Sequence, residues 1–388
     1  MMIPYGRQDI SQDDIDHVVQ VLRSDFLTQG PMVPQFEDAV ASYCGAAHAV
    51  AVCNATAALH IACLALGVSH GDRVWTTPIT FVASANCAVY CGALIDFVDI
   101  DPGTCNMSVA CLAEKLARAK AVGALPKVVI PVHLCGQSCD MRAIHALSQE
   151  FGFSIVEDAS HAIGGRYLDM PVGGCQYSDI TIFSFHPVKI ITTGEGGMAV
   201  TNNPELARLM KQYRSHGVTS NPDEMLIPET GEIWNYQQIR LGYNYRLTDI
   251  QAALGLSQMT RLNEFVQARC NIATEYDRAL ACTPFAKLEQ LEGTCSSHHL
   301  YPVRIDQRRC GKNQRQVYDF LLKQGIRVNL HYIPVYRQPF FEAMGFSAGY
   351  CPEAERYYRE AISLPIYSSL KPEQQQYVIE TLQRALSV

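Results

Sequence analysis

Apolar runs of strand length alternate with helical segments along the first two hundred residues. We predict strands at 48–53, 73–77, 94–99, 126–133, 153–158, 180–185 and 197–201. These runs are almost continuously apolar, which is typical of strands buried on both faces of a parallel or mixed sheet. In such sheets the ligand crevice lies at the carboxyl ends of the strands. The loops that follow these strands are therefore expected to meet in one crevice.

Helices are predicted between the strands from apolar periodicity and end signals. The first begins after Ser11, an N-cap residue that is followed by acidic residues and an apolar face. Further helices are expected at 34–44, 58–66, 82–90, 107–121 and 141–151. The whole pattern predicts an α/β protein with a mostly parallel sheet.

The second half of the chain has a different pattern. Residues 215–239 are polar and predict a long loop, and a single long amphipathic helix is expected at 249–273. Beyond it we predict strands at 297–305 and 326–331 and helices at 312–324, 354–360 and 372–386. We therefore expect two domains, a large one at 1–250 and a smaller one at 251–388.

Composition narrows the class of protein. The 388 residues are 48% hydrophobic and 18% charged, with a net charge of −7, which argues against a nucleic-acid or anionic-membrane surface. The start of the chain lacks a signal-peptide pattern, and no apolar run reaches the roughly 18–20 residues of a membrane span. The 15 cysteines are scattered, and His133-x-Cys135-x-x-x-Cys139 has no second cluster at metal-binding spacing. We expect a cytoplasmic protein with reduced thiols and no metal.

One lysine stands out. Lys189 lies in an apolar, hydroxyl-rich run between two predicted strands, where Pro187 and the glycines of 194–197 exclude a helix. It is either a surface residue whose stem is buried or a desolvated amine with a lowered pKa. Two other strand ends carry possible partners for a ligand. Asn54-Ala-Thr-Ala57 opens a helix and could bind an anion or be an ordinary turn, and Asp158 could bind a ligand or cap a helix.

A lysine, a carboxylate and a helix start at one crevice are what a pyridoxal phosphate enzyme needs. Here the chain resembles a known family, the nucleotide-sugar aminotransferases of the DegT/StrS type, which have the aspartate aminotransferase fold (fold type I). The resemblance covers nearly the whole length through motifs at 27–31, 54–57, 76–81, 157–165, 183–189, 194–197, 214–217, 242–246 and 330–335. It implies a three-layer α/β/α large domain with a mixed, mostly parallel sheet, and a smaller C-terminal α/β domain.

The resemblance also implies roles for the catalytic residues. Lys189 would form the Schiff base with pyridoxal 5′-phosphate and would move the proton during amino transfer. Asp158 would hold the ring nitrogen protonated. Adjacent Glu157 is expected to face the other side of the sheet, because strand side chains alternate.

Other cofactor contacts follow from the same resemblance. His161 would bond the ring oxygen, where many relatives have Gln, or would be a satisfied core histidine; Phe81 would stack on the ring or pack in the core. The phosphate would be bound by the amides of Thr56 and Ala57, the Thr56 hydroxyl and Ser184. Relatives often have Ser where this chain has Ala57, so one hydroxyl donor is missing.

Asn244 matches a residue that relatives supply from the neighbouring subunit, which implies a homodimer with a composite site; the alternative is an Asx-turn residue. The sugar nucleotide would be bound by an N-terminal aromatic residue, the loop after the first helix, the His-Tyr-x-Pro segment and parts of the phosphate site. These residues are Tyr5, Asp25, Phe26, Leu27, Thr28, Ala55, Ser184, Asn244, His331, Tyr332, Ile333 and Pro334.

Within the family, the motifs at 160–162, 297–302, 331–334 and 362–365 are most similar to the pseudaminic acid branch. That branch implies L-glutamate as amine donor, pyridoxamine 5′-phosphate as intermediate cofactor form, and UDP-2-acetamido-2,6-dideoxy-β-L-arabino-hexos-4-ulose as acceptor. Three alternatives remain: a dTDP- or GDP-linked 4-keto sugar, a sugar dehydratase, and a non-catalytic regulatory relative. The dehydratases have His in place of the lysine, so Lys189 argues against them. We expect His186 to be structural.

Overall fold

A seven-stranded sheet with the order β1-β9-β8-β5-β4-β2-β3 forms the centre of the computed structural model, which describes residues 2–227 and 231–387. The strands are β1 His48–Val52, β2 Arg73–Thr76, β3 Leu94–Phe97, β4 Val128–Ile130, β5 Ser154–Asp158, β6 Arg166–Tyr167, β7 Met170–Pro171, β8 Ile180–Ser184, β9 Gly197–Thr201, β10 Val218–Thr219, β11 Gln237–Gln238, β12 Phe285–Lys287, β13 Thr294–Cys295, β14 Tyr301–Ile305 and β15 Ala361–Leu364. The helices are α1 Gln12–Leu22, α2 Met32–Cys44, α3 Ala55–Ala65, α4 Ala83–Tyr90, α5 Val109–Ala121, α6 Met141–Phe151, α7 Pro204–Arg214, α8 Asp249–Thr260, α9 Leu262–Leu280, α10 Gln307–Cys310, α11 Gln314–Lys323, α12 Pro339–Glu342, α13 Pro352–Glu360 and α14 Pro372–Ser387.

Strand direction places the functional loops at one edge of this sheet. β9 is antiparallel to both of its neighbours, whereas β8, β5, β4, β2 and β3 pair in parallel. The carboxyl ends of β1, β8, β5, β4 and β2 therefore share an edge. The loop that carries Lys189 joins the end of β8 to the start of β9 at this same edge.

Both faces of the sheet are covered, which explains why its strands are mostly apolar. In β8, Ile180 and Ile182 pack into the core beneath α3 and α4. Phe183 and the following Phe185 pack into a separate core with α2 and α8. Alternate side chains thus enter different apolar layers, and a polar residue on either face would be buried. The result is the mixed, mostly parallel α/β/α arrangement of fold type I that we expected.

The long helix expected at 249–273 is wrong, because two helices meet at Arg261. This residue has φ −105° and ψ 4°, and its amide bonds Gln258 O in a tighter turn. Its guanidinium donates to Asp9 Oδ1 at 3.0 Å and to Asp14 Oδ2 at 2.6 Å. The break therefore coincides with an anchor to α1, a tertiary contact that helical periodicity cannot reveal.

The C-terminal half forms its own core around the antiparallel sheet β12-β14-β15 and the helices α9, α11 and α14. Ile3 belongs to this core, because its backbone pairs with Ile326. The strand expected at 326–331 is wrong: this segment makes only single bridges at Ile326 and Asn329. The strand expected at 297–305 is shortened to β14. We retain 1–250 and 251–388 as a proposed division.

Several elements were not anticipated from the sequence. They are the helix α7, the short helices α10 and α12, the short pair β10-β11 inside the expected 215–239 loop, and the strands β6, β7, β12, β13 and β15. Among the described residues, none of the helices combines the length and apolar character that crossing a membrane requires. The same residues contain no cluster of three or more His, Cys, Asp or Glu side chains suited to a metal ion.

Candidate active site

Lys189 lies in the turn that follows β8. Its amide donates to His186 O at 2.9 Å, and the loop is closed by Thr193 N donating to Phe185 O at 3.0 Å. Burial lowers the pKa of the Lys189 amine to about 8, although the negative charge of Asp158 opposes that shift. A larger fraction of the amine is therefore uncharged near neutral pH than for an exposed lysine, as a nucleophile requires.

Asp158 ends β5 and is buried. Its Oδ2 accepts a hydrogen bond from Ser84 Oγ at 2.6 Å, and its Oδ1 accepts from Ser160 Oγ at 2.5 Å and Ser160 N at 3.1 Å. No helix begins at residues 159–163, so the alternative of a helix N-cap is wrong. Its hydrogen-bond partners are all donors, and a carboxylate oxygen can accept a further hydrogen bond from a ring N–H.

Glu157 faces the other side of β5, as alternation predicted. His133 Nδ1 accepts from the Cys139 amide at 3.2 Å, so Nε2 carries the proton and donates to Glu157 Oε2 at 2.6 Å. Burial alone would raise the pKa of Glu157, but hydrogen bonds from His133, Ser178 and Thr181 hold the pKa below its usual value. Glu157 is thus a structural carboxylate beneath the crevice.

The expected phosphate site lies where β8, β9 and α3 meet. Ser184 pairs with Gly197 across the strands, and a Cβ on Gly197 would lie 2.5 Å from the Asn54 carbonyl carbon and 2.6 Å from Ala55 N. Only glycine allows this approach of β9 to the start of α3. The Ser184 and Thr56 hydroxyls have no hydrogen-bond partner within the described residues, and both are thus free to bind an anion.

The structure corrects one member of this site. The Ala57 amide donates to the side chain of Asn54, the N-cap of α3, at 2.8 Å. It is therefore already satisfied as an N-cap hydrogen bond and is not a free donor, unlike the amide of Thr56. The missing hydroxyl at this position leaves Thr56 and Ser184 as the side-chain donors.

Histidines and a tyrosine line the side of the crevice next to Asp158. His161 Nδ1 accepts from the Cys135 amide at 3.4 Å, and its Nε2 lies 3.1 Å from the Tyr332 hydroxyl. Both ring nitrogens thus have protein partners, as in the satisfied-histidine alternative. The ring centroids of His161 and His299 are 4.4 Å apart. The pKa of His331 is lowered to about 3, mainly by burial and to a smaller extent by the charge of Lys189. These histidines are neutral near physiological pH, so they add no charge beside Lys189.

The remaining expected residues fall into two groups. Phe81 is 60% exposed with its ring 6.4 Å from that of Tyr332, so the core-packing alternative is wrong. Tyr5 lies 5.3 Å from His331 between ring centroids, and a Cβ added to the adjacent Gly6 would lie 3.9 Å from Val188 Cβ in the lysine loop. Ala55 opens α3, Ile333 is exposed and Pro334 is buried.

The residues of the second group are exposed. Asp25, Phe26, Leu27 and Thr28 are exposed, and the backbone there pairs with the start of α8 through Leu27 O and Thr28. Asn244 is exposed, and its backbone forms a bridge to Ser215. His186 is exposed too, 4.0 Å from Glu195 Oε1.

Sequence reasoning missed Ser84, Ser160 and His299 as members of the crevice. Ser84 lies one helical turn after Thr80, and the two hydroxyls are 2.7 Å apart. A Thr-x-x-x-Ser pair just after a strand end was the available signal. For His299 the sequence offered only the pair His298-His299, which does not reveal that one ring faces the crevice.

The donor and acceptor set fits pyridoxal phosphate. The aldehyde of the cofactor needs an uncharged amine, and its ring nitrogen needs a carboxylate. The ring needs an open aromatic face to stack on, and the phosphate needs free hydroxyl and amide donors. These four requirements are met at one edge of the sheet, in the same order, by Lys189, Asp158, Phe81, and the pair Thr56 and Ser184.

Comparison with known proteins agrees with this geometry. Residues 8–383 match the model of the DegT/DnrJ/EryC1/StrS aminotransferase family. The UDP-4-amino-4,6-dideoxy-N-acetyl-beta-L-altrosamine transaminase of Campylobacter jejuni (serotype O:2) is 35% identical over 383 residues, which cover 98% of this chain and 96% of that protein. Helicobacter pylori PseC, an aminotransferase involved in the biosynthesis of pseudoaminic acid, superposes with a TM-score of 0.90 at 31% identity over 100% of both chains.

A third similar structure bears on the cofactor. The PLP-form of the putative sugar aminotransferase Spr1654 from Streptococcus pneumoniae has a TM-score of 0.88 at 30% identity, covering 100% of this chain and 99% of that one. By sequence and by structure, this chain belongs to the DegT/DnrJ/EryC1/StrS aminotransferase family and is a pyridoxal phosphate-dependent aminotransferase.

Proposed function

We propose that the enzyme transfers the amino group of L-glutamate to C4 of a UDP-linked 4-keto-6-deoxy-N-acetylhexosamine, UDP-2-acetamido-2,6-dideoxy-β-L-arabino-hexos-4-ulose. The observation that carries the chemistry is the desolvated Lys189 amine beside the buried Asp158 carboxylate. The choice of sugar is supported by the similarity to the C. jejuni transaminase and to PseC.

Each residue has a defined task in this proposal. When bound, pyridoxal phosphate supplies an electron sink that stabilises charge on the amine-bearing carbon of the substrate. Asp158 accepts a hydrogen bond from the protonated ring nitrogen, and Thr56 and Ser184 donate to the phosphate. Lys189, once free, takes the proton from the amine carbon of glutamate and returns one to C4 of the sugar. Its pKa of about 8 suits both directions near neutral pH.

We propose that the working form is a homodimer. Asn244 is exposed, and its side chain makes no hydrogen bond within the part of the chain described here. The residues on either side of Asn244 are held in place by contacts. The rings of Tyr243 and Tyr245 stack with centroids 4.9 Å apart, and the Tyr245 hydroxyl is 3.2 Å from His60 Nδ1. Asn244 would reach into the partner's crevice, and Asp25, Phe26, Leu27 and Thr28 would bind sugar nucleotide in the assembled site.

The remaining substrate contacts in the proposal are Tyr5, Ala55, His331, Tyr332, Ile333 and Pro334. A cytoplasmic location is supported by the cysteines, which are all free, because free thiols are typical of reducing compartments.

The test is a panel of nucleotide-linked 4-keto sugars offered with L-glutamate. Products are identified by mass spectrometry and by NMR at C4. We expect the UDP-linked β-L-arabino sugar to be aminated with a kcat/KM at least tenfold above dTDP- and GDP-linked sugars. A preference for another nucleotide would refute the substrate but not the reaction. No amination of any sugar, together with no borohydride-sensitive visible band, would favour a regulatory relative.

A further inference from the structure

Lys189 and Asp158 interact electrostatically but do not form an ion pair. Burial lowers the pKa of the Lys189 amine, and the negative charge of Asp158 raises it by a smaller amount, so the two groups interact electrostatically. Yet among residues 2–227 and 231–387, no ion pair joins them within 4.0 Å. The oppositely charged groups therefore stay apart in the fold, although charges in a partly desolvated crevice attract each other strongly.

The hydroxyls around Asp158 hold its carboxylate in one orientation. Ser84 Oγ and Ser160 Oγ bond different carboxylate oxygens, at 2.6 and 2.5 Å, and the Ser160 amide adds a third hydrogen bond at 3.1 Å. Hydrogen bonds this short to a carboxylate are charge-assisted and about twice as strong as neutral ones. Because both oxygens are held, rotation of the carboxylate would break at least one of them.

The direction of each hydrogen bond follows from the donor inventory. An ionised carboxylate can only accept, so Ser84 must donate its single proton to Asp158. The Thr80 hydroxyl, 2.7 Å from Ser84 Oγ, then donates to Ser84. Ser84 is fully buried, so water does not compete for its proton. The chain Thr80, Ser84, Asp158 is therefore polarised towards the carboxylate.

We propose that Ser84 and Ser160 form a hydroxyl clamp that keeps the Asp158 carboxylate from pairing with the Lys189 amine. The clamp makes both serines positioning residues. It leaves Asp158 facing the place of the ring nitrogen and leaves Lys189 unpaired and able to react with an aldehyde. The purpose of the clamp rests on the proposed roles of these two residues, but its existence does not.

The other groups that interact with Lys189 cannot take over the role of Asp158. His161, His299 and His331 each interact electrostatically with the lysine, and burial is the main cause that lowers the pKa of all three. They are neutral near physiological pH and supply no counter-charge. Asp158 is thus the group whose release would change the charge state of Lys189.

The experiment measures Lys189 in the full-length chain freed of cofactor. The wild type and the double variant Ser84→Ala/Ser160→Ala are labelled with a trace of acetic anhydride from pH 6 to 11, and acetylation of Lys189 is quantified by mass spectrometry. We expect an apparent pKa of about 8 in the wild type. In the double variant we expect a rise of at least one pH unit, and thus roughly five- to tenfold less labelling near pH 7.5. Ser148→Ala is the matched control, because its buried hydroxyl bonds only His145 O at 2.8 Å.

Two further variants separate the clamp from a general loss of structure. Ser160→Thr keeps the hydroxyl and should keep the wild-type pKa of Lys189. In an Asp158→Asn background the serine substitutions should leave that pKa unchanged, because no negative charge remains to be released. An unchanged pKa in the Ser84→Ala/Ser160→Ala chain, or an equal rise in the Asp158→Asn background, overturns the clamp. Neither readout uses cofactor or sugar, so failure of the proposed function would be seen separately in the sugar panel.

Discussion

Glu157 and Asp158 are consecutive residues of one strand, and their carboxylates lie on opposite faces of the central sheet. Glu157 is bonded by His133 Nε2 at 2.6 Å, whereas Asp158 is bonded by Ser84 Oγ at 2.6 Å in the crevice. Both are buried. Carboxylates of one strand therefore serve structure on one face of the sheet and, in the proposed mechanism, reactivity on the other.

Substitution by the isosteric amide should separate these two roles. Glu157→Gln leaves buried donors without a charged acceptor, and we expect the free energy of unfolding to fall by about 2–3 kcal/mol. Its visible cofactor band should stay normal. Asp158→Asn should change stability less but weaken cofactor binding and reduce kcat at least 100-fold, since the ring nitrogen loses its anionic partner. Denaturant titration measures the stability of each variant, and absorption spectra measure its bound cofactor. Equal effects of the two variants would contradict the division of roles.

Replacement of Lys189 tests the chemistry directly. Lys189→Ala should abolish the visible band that borohydride removes and lower turnover at least 1,000-fold, because no amine remains to bind the aldehyde or to move the proton. The chain should stay folded and keep the oligomeric state of the wild type. Lys211→Ala, at an exposed position of α7, is the control and should behave as the wild type. Full turnover by the Lys189→Ala chain would exclude our assignment.

The lowered pKa of Lys189 also predicts a stability cost in the cofactor-free protein. Between pH 8 and 10.5 the unfolded chain binds more protons at this site than the folded chain, so stability rises with pH through that window. Below pH 8 the cost is constant, at about 1–3 kcal/mol after allowance for partial exposure. Lys189→Met should therefore raise the Tm of cofactor-free protein at pH 7 by a few degrees.

The difference in Tm between the Lys189→Met chain and the wild type should shrink as the pH approaches 10.5, because Lys189 then loses its proton in the unfolded wild-type chain as well. Thermal melts of both cofactor-free chains at pH 7, 9 and 10.5 provide the comparison. A Lys189→Met chain that is less stable than the wild type at pH 7 would show that the lysine contributes favourable contacts instead.

Gly197 is predicted to control the phosphate site. An alanine Cβ would lie 2.5 Å from the Asn54 carbonyl carbon, so β9 and the start of α3 must separate. We expect Gly197→Ala to cost about 1–3 kcal/mol of stability and to weaken pyridoxal phosphate binding at least tenfold. Gly6→Ala is the control, since its Cβ would lie 3.9 Å from Val188 Cβ in ordinary contact. Cofactor affinity equal to that of the control would argue against a phosphate site here.

The anchor between α1 and α8 predicts the largest structural effect. Asp14 is fully buried and accepts from Ser257 Oγ at 2.6 Å, Gln258 Nε2 at 2.7 Å and Arg261 Nη2 at 2.6 Å. Asp14→Asn removes the charge that pairs with Arg261 and places an NH₂ group among donors. We expect a loss of about 3–5 kcal/mol.

The exposed neighbour Asp13 provides the comparison, since Asp13→Asn should change stability by less than about 1 kcal/mol. Burial would raise the pKa of Asp14, but hydrogen bonds from Ser257, Ser11 and Gln258, together with Arg261, lower it. Its contribution to stability should therefore be present above its ordinary pKa and be lost as the pH falls through the lowered value. Equal denaturant midpoints for the Asp13 and Asp14 variants would refute the anchor.

The sequence by itself determined the strands of the central sheet, most helices and the pyridoxal phosphate chemistry. Continuous apolar runs of strand length favour strands covered on both faces, and strand ends in a parallel sheet meet at one edge, so Asp158 and Lys189 could be predicted to lie at the same edge without coordinates. The predicted N-cap residue Ser11 acts through a neighbour three residues away, a distance that local pattern covers.

Only the tertiary structure decided what depends on contacts between distant residues. The break at Arg261 depends on Asp14, 247 residues away in the chain, and the hydrogen bonds of Ser84 depend on Asp158, 74 residues away. Whether the Ala57 amide is free was likewise decided by the rotamer of Asn54. A side chain's partners follow from its position and rotamer in the fold, and residue type and spacing carry neither. For that reason the sequence could name Lys189 as the reactive amine, whereas the groups that keep it unpaired became visible only in the folded chain.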